Sequence, residues 1–393
     1  MKSISDQDLI LKGKKVIVRV DLNVPMKDGA ITEASRIIKI LPTIKLLIKK
    51  EAKIIIFSHI GRPKGKIIDG MSLEPISKKL SDLLNIEVLF NKNVINEKTL
   101  DEINKIPNGS VMMMENIRFY EGEENNEVSF SKKISSLGDI YVNDAFSCSH
   151  RAHSSIEGIT KYIPSYCGLQ FVEEINALKR ITSKIKRPVT CIIGGSKIST
   201  KIKIISNLIK DFDNIIIVGG MGNAMLKNTG VNIGKSVCDD GYKDLVEEIL
   251  KKSKAHNCQI YYPLDVVVSK TLNGVGNIKE IDRVNNDEMI LDIGPKTITS
   301  IKDIIEGTNT VLWNGPAGYF ENPNFANGTK RILEIIADKK AKNKIYAVAG
   351  GGETVAVINK FEKLESFNFV STAGGAFLEY LEGKELPGIS ALN

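Results

Sequence analysis

Arginine is scarce in this chain: nine of the 54 basic residues, the remainder being lysine. Aromatic residues make up 6% and tryptophan occurs once. The lysines are dispersed among acids, with no basic tail and no interleaved aromatic platform of the kind that grips nucleic acid. The net charge of +7 is therefore read as a solvated lysine-rich surface, and no nucleic-acid partner is expected. The five cysteines (Cys148, Cys167, Cys191, Cys238, Cys258) are odd in number and form no CxxC pair, which argues against a disulfide or zinc framework and for reduced thiols. No apolar run reaches the roughly 18 residues of a membrane span. The opening MKSISDQDLILKGKK lacks the apolar core and cleavage site of a signal peptide. A cytoplasmic chain without a membrane partner is the expectation. His150 and His153, spaced i and i+3, have no third metal ligand nearby in sequence.

At 393 residues the chain is too long for one ordinary core, so two domains are expected. Strand and helix patterns alternate along both halves, the signature of an α/β fold built on parallel sheets. In the second half, four short apolar runs lead into glycines. Ile345–Ala349 is followed by Gly350, Gly351 and Gly352, then by Glu353 and Thr354 at the start of a helical pattern. Val189–Ile193 leads to Gly194-Gly195-Ser196-Lys197, Asn214–Val218 to Gly219-Gly220, and Phe367–Ser371 to Thr372-Ala373-Gly374-Gly375. Glycine turns let backbone approach a ligand, and the free N–H groups of a first helical turn attract anions. In an open parallel sheet such turns share the carboxyl edge, where ligands bind. One such turn is equally explained as tight-turn chemistry; four along one edge suggest a polyphosphate surface. A carboxylate at Glu353 could hold a metal that itself holds phosphate.

The first half carries different strand exits. Lys15–Val20 ends in Asp21 and Asn23, Lys53–Ser58 leads into His59 and Arg62, Val111–Glu115 into Arg118, and Ile140–Val142 towards Arg151; Arg36 opens a helical run. Each arginine alone fits a surface ion pair. Together, Arg36, Arg62, Arg118 and Arg151 would aim four guanidinium groups at one cleft, and such a cluster needs an anionic ligand to offset its repulsion. A small polyanion bearing phosphate and carboxylate fits.

In the second half Lys197 and Lys201 stand four apart, the spacing that places two side chains on one helical face. They are read as a cation pair for phosphates, against the alternative of two solvated lysines. No Walker loop occurs. IIIVGGMGNAML, with Asp239-Asp240 beyond it, imitates a dinucleotide fingerprint but lacks the final glycine. A nicotinamide dehydrogenase and a non-catalytic nucleotide-binding module remain open at this point. Thr310–Trp313 precedes a rigid loop suited to wall an adenine and catch a ribose hydroxyl with Glu321, while Trp313 itself is read as core.

RVDLNVP, SHIGRP, ENIRFY, VNDAFSCSHRAHSS, GGSKISTK, VLWNGPAGYFE, AGGGETVA and STAGGAFLEYLEGKELPG, in this order, closely resemble the phosphoglycerate kinase family over nearly the whole chain. The resemblance implies two Rossmann-like domains, each a mainly parallel sheet with helices on both faces. It implies a triose-phosphate domain over 1–167, a connecting hinge helix over 168–185, a nucleotide domain over 186–375, and a segment 376–393 returning to the first domain. It implies reversible phosphoryl transfer from 1,3-bisphosphoglycerate to ADP, giving 3-phosphoglycerate and ATP, with Mg²⁺, in a monomer that closes about its hinge. By motif match, Asp21, Asn23, Arg36, His59, Arg62, Arg118 and Arg151 would hold the triose phosphate. Lys201, Asn314, Glu321, Gly351, Gly352, Glu353 and Thr354 would lie at the nucleotide, with Glu353 as the metal ligand. Arg36, Lys197, Gly374 and Gly375 would serve the transferred phosphate. Five positions at three places depart from the commonest pattern of the family: Glu353 stands where Asp is usual, Ala373 where Gly is common, and Ser147-Cys148-Ser149 for Gly-Thr-Ala.

Overall fold

The computed structural model describes every residue of the chain except Asp28 and Val94. Two compact units emerge, one of Met1–Ile175 with Glu385–Asn393, the other of Asn176–Lys384. The motif match places the return to the first domain at 376–393. In the structure the helix Gly375–Leu381 stays with the second unit, packed on Ile202–Leu208. Only the last nine residues belong to the first, where the Gly388 N–H donates to Ser149 O at 2.9 Å.

The first unit is built on strands β1 (Lys15–Val20), β4 (Lys53–Phe57), β5 (Val88–Asn91), β6 (Val111–Met114), β7 (Ile140–Asp144) and β8 (Ser165–Cys167), with a two-residue ribbon β2 (Met26–Lys27) and β3 (Ala30–Ile31) beside them. The main sheet runs β5-β6-β4-β1-β7-β8, every pairing parallel. Its strands are apolar throughout because both faces are covered. Val16, Val18, Ile54 and Ile56 face the helices Ser35–Lys49 and Glu74–Leu84 through Ile37, Ile40, Ile44 and Leu80. The alternate residues Ile17, Ile55 and Phe57 face Ile103, Phe130 and Ile134 from the helices Glu97–Lys105 and Val128–Ser135. Each fully buried Ile or Leu contributes on the order of 1.5–3 kcal/mol. Because every pairing is parallel, all the strands emerge at the site by the same ends.

The second unit repeats the plan with β9 (Val189–Ile193), β10 (Asn214–Ile217), β11 (Gln259–Tyr261), β15 (Thr310–Asn314), β16 (Tyr346–Gly350) and β17 (Phe369–Ser371), ordered β11-β10-β9-β15-β16-β17 and again parallel. A separate antiparallel sheet of β12 (Asp265–Ser269), β13 (Asn277–Glu280) and β14 (Met289–Ile293) lies outside the alternating pattern. Trp313 is fully buried in the core with Ile192, Val311 and Ala347, stacked on Phe367 at 6.0 Å. The expectation of a mainly parallel α/β architecture holds for both units.

The helix Leu169–Thr182 begins in the first unit and ends in the second. Its first turn is held within the first unit: Thr43 Oγ1 accepts from Leu169 N and Asp144 Oδ1 from Phe171 N, both at 3.0 Å. In the second unit Arg180 lies 5.0 Å over the Tyr346 ring.

Candidate active site in two halves

In the first unit the parallel strands all exit on one edge, and their loops meet there. Arg36 Nη1, near the start of Ser35–Lys49, donates to Asp21 Oδ2 at 2.6 Å and to Asn23 O at 3.3 Å. Asn23 Oδ1 accepts from Gly61 N at 3.0 Å, and Arg118 Nη1 donates to Gly61 O at 2.9 Å. The Ser147 hydroxyl donates to the same Asp21 oxygen that Arg36 holds. Asp21, Asn23, Arg36 and Arg118 therefore form one hydrogen-bonded ring of loops. Arg62, next to Gly61, and Arg151 are exposed and have no ion-pair partner among the described residues. Burial opposes ionisation of Asp21, yet the charge of Arg36 and the hydrogen bonds from Ser147 and Asn23 N hold the carboxyl below its usual value.

His59 is 5% exposed and lies near Asp21, and Arg19 Nη2 donates to its Nδ1 at 3.1 Å. Burial, then the charge of Arg19, keeps His59 well below the ordinary imidazole range. Asp21, His59 and Cys148 bring three potential metal-ligating atoms within 4.8 Å of one another. The Arg19 guanidinium already occupies that neighbourhood, its Nη2 being 3.8 Å from Cys148 Sγ, so the cation of this cluster is supplied by the protein.

The sequence assigns no role to Arg19, Glu123 or Ser155, and marks Ser147 only as a departure from the family pattern. A charge inside the apolar strand KVIVRV was the available signal for Arg19. Glu123 sits in EGEENNE, which looks like a solvated acidic run.

In the second unit the glycine turns after β9, β10, β15 and β16 share one edge. Lys201 folds back beneath them, its Nζ donating to Gly194 O at 2.6 Å and reaching Asn314 O at 3.4 Å. Burial pulls its pKa down to about 8, against the field of Glu353. Lys197 and Lys201 do not share a helical face. Lys197 is extended and exposed, a short 3-10 turn spans Ile198–Thr200, and the helix proper begins at Ile202. The backbone before this break is tightly packed: a Cβ on Gly194 would lie 2.1 Å from Pro316 O, and one on Gly220 2.4 Å from Ser196 O.

Asn314 Nδ2 donates to Gly350 O and Gly315 N to Thr354 Oγ1, both at 2.7 Å, which ties the turn after β15 to the start of the helix Gly352–Lys360. Gly351, at φ +95°, adopts a conformation that side chains disfavour. A cavity of about 340 Å³ opens beside these turns, lined by Gly195, Gly219, Pro316, Leu291 and Tyr319, with Glu321 and Glu353 among its walls. Mostly apolar walls with a few polar groups suit a flat aromatic ring with a charged tail. Gly374 and Gly375 start another helix, Gly375–Leu381, and share no hydrogen bond with this network among the described residues.

For a divalent cation the donor set is favourable. Glu353 is exposed on the first turn of its helix, and Asn314 Oδ1 is buried without a hydrogen-bond partner. Mg²⁺ prefers such oxygens and commonly takes one or two carboxylates together with phosphates.

The phosphoglycerate kinase family model matches residues 6–384. The chain belongs to the phosphoglycerate kinase family. Similar proteins include the phosphoglycerate kinase of Dictyoglomus turgidum, 45% identical over 394 residues and covering 100% of this chain and 98% of that one. That of Xanthobacter flavus is 43% identical over 389 residues, covering 98% of each. Among solved structures, phosphoglycerate kinase from Coxiella burnetii superimposes with a TM-score of 0.91 at 38% identity, covering 98% of this chain and 97% of that one. The enzyme from Pyrococcus horikoshii gives 0.81 at 30%, covering 100% and 98%. Family membership turns the reading away from a nicotinamide dehydrogenase and from a module without catalysis.

Proposed function

We propose that this chain catalyses reversible transfer of a phosphoryl group from 1,3-bisphosphoglycerate to ADP, yielding 3-phosphoglycerate and ATP. The observation that carries the reading is the ring of loops joining Asp21, Asn23, Arg36 and Arg118 in the first unit. Exposed Arg62 and Arg151 beside it are free to grip the phosphate and carboxylate of a triose. His59 donates to the same ligand. The second unit takes the nucleotide: apolar walls for the base, Glu321 for the ribose, and Lys201, Asn314, Gly351, Gly352 and Thr354 around the phosphate chain. Glu353 would hold Mg²⁺, which when bound neutralises phosphate oxygens.

An oxygen of the terminal ADP phosphate attacks phosphorus, and the bond from phosphorus to the acyl oxygen of the triose breaks. The leaving group is a carboxylate, which carries no proton at neutral pH, so no general base is needed. Catalysis reduces to positioning and to neutralising the equatorial oxygens. Arg36, Lys197 and the turn amides at Gly374 and Gly375 are assigned to that charge. Two half-sites on separate units must meet for in-line transfer, so the helix Leu169–Thr182 is assigned as the hinge. One chain supplies both halves, which supports a monomer as the working species. Nucleotide substrates and five free thiols support a cytoplasmic setting, and dispersed lysines support a surface without a nucleic-acid partner.

A coupled assay with 3-phosphoglycerate, ATP and Mg²⁺ tests this directly. Turnover dependent on all three is expected. Nucleotide binding without turnover would sink the proposal.

A further inference from the structure

Arg19 is the one arginine of the first half to which reading the strand exits assigned no role. It lies inside β1 and is fully buried, as is Glu123. A buried guanidinium costs several kcal/mol unless it is paired and its donors are satisfied. Here every branch of the fork is used. Nε donates to Ser155 Oγ at 2.9 Å, Nη1 donates to Val20 O, and Nη2 donates to His59 Nδ1 at 3.1 Å. Ser155 in turn donates its hydroxyl to Glu123 Oε1 at 2.6 Å and its N–H to Oε2 at 2.9 Å. The Tyr141 hydroxyl fixes the Ser155 carbonyl at 2.6 Å. A buried carboxylate thus balances a buried cation through one serine.

Arginine has only donors, so the lone pair at this contact belongs to His59 Nδ1. The ring's one proton is then on Nε2. We propose that Arg19 is a positioning residue that fixes His59 as the neutral Nε2–H tautomer, so the ring meets the anionic substrate as a donor whose charge does not change, while Glu123 anchors Arg19 through Ser155. The inference rests on the first unit being the triose-phosphate half-site.

The groups facing His59 agree with this. Arg19 comes from β1, Arg36 from the helix after it and Arg118 from the turn after β6; all three oppose a charged ring. Asp21, at the exit of β1, favours one, and Cys148 lies nearby on the loop after β7. A charged His59 would add a further cation to a cluster already rich in them. The neutral tautomer supplies direction without added repulsion.

The test uses the full chain with ¹⁵N-histidine, following two-bond ¹H–¹⁵N correlations from pH 5 to 8. His59 is assigned among the four histidines by loss of its signals in His59→Gln. The expected pattern is protonated Nε2 and lone-pair Nδ1 at every pH. In the charge-balanced double variant Arg19→Met with Glu123→Gln, Nδ1 loses its donor, so the ring should populate both neutral tautomers, and its titration should move up from that of the unaltered chain because burial still opposes its charge but Arg19 no longer does. The variant's kcat/KM for 3-phosphoglycerate should fall about tenfold, with a pH profile that moves with the His59 titration, which a merely structural loss would not create. If the double variant fails to fold, the unaltered chain still decides: a proton on Nδ1, or titration between pH 5 and 8, overturns the proposal. Saturating 3-phosphoglycerate should shift the His59 signals. If they stay put while the tautomer is as expected, the half-site assignment is what fails.

Discussion

Arg36 donates to Asp21 Oδ2 at 2.6 Å, so the guanidinium assigned to the reacting phosphate is already held in direction by a carboxylate on the neighbouring strand exit. A side chain prepositioned in this way loses little freedom when the substrate arrives, and a preorganised donor is what stabilises developing charge most effectively.

Replacing Arg36 with Ala should lower kcat by about 10²–10³-fold, the usual loss for one donor aimed at transition-state charge. Arg36→Lys should recover only part, because an ammonium cannot satisfy Asp21 and a phosphate with one planar fork. Steady-state kinetics with both substrates check this. A near-normal rate for Arg36→Ala would strip the residue of its role.

Glu353→Gln keeps the size of the side chain and removes its charge. The concentration of Mg²⁺ needed for half-maximal rate should rise severalfold while the KM for 3-phosphoglycerate is unchanged, as expected when a carboxylate ligand is lost from an oxygen site. Titration of activity against free Mg²⁺ measures it. An unaltered magnesium requirement would move the metal contact elsewhere.

Lys201 titrates at about 8 because burial disfavours its charge. Its proton is lost as pH rises through that value, and a neutral amine attracts phosphate less. The KM for ADP should therefore increase between pH 7.5 and 9. Lys201→Arg, which stays charged throughout, should flatten that increase whatever it does to the absolute rate. A pH-independent KM in the unaltered chain would remove Lys201 from the phosphate chain.

Asp144 is buried at the first turn of Leu169–Thr182, and desolvation lifts its carboxyl from the ordinary 3.8 to about 6. A carboxyl raised on folding supports the fold fully only below its unfolded value, and that support is lost as pH rises through about 6. At pH 7 the buried charge is a net cost of up to about 3 kcal/mol. Oδ1 accepts from Phe171 N, while Oδ2 has no close hydrogen-bond partner among the described residues, so Asp144→Asn keeps the Phe171 bond. It should raise Tm at pH 7 and leave it unchanged at pH 4, which calorimetry at the two pH values resolves. Equal effects at both would reject the charge as the cause.

Transfer requires the two half-sites to meet. Small-angle scattering should show a smaller radius of gyration only when 3-phosphoglycerate and Mg-nucleotide are both present. No change with both ligands would remove the hinge from the mechanism.

Much of the site could be read before any coordinates. The arginines beyond the strand exits and the glycines before the helices are local features, and a parallel sheet carries every such turn to one edge. Arg19 could not be assigned in that way, because its partners Ser155 and His59 lie 136 and 40 residues distant in sequence. The Lys197–Lys201 spacing misled for a related reason. Lys197 is extended and the helix begins only at Ile202, while the turn before it packs closely on Gly315 and Pro316, contacts that spacing alone does not reveal.

By itself the sequence determined the alternation of apolar strands and amphipathic helices, the division into two halves, and which residue types stand at the turns, since these follow from local period and backbone freedom. Tertiary structure alone decided that Arg19 is buried against His59, that Lys201 turns inward to carbonyl oxygens, and that the last nine residues pack on the first unit. Each of those depends on contacts between distant segments, which leave no periodic trace in the chain.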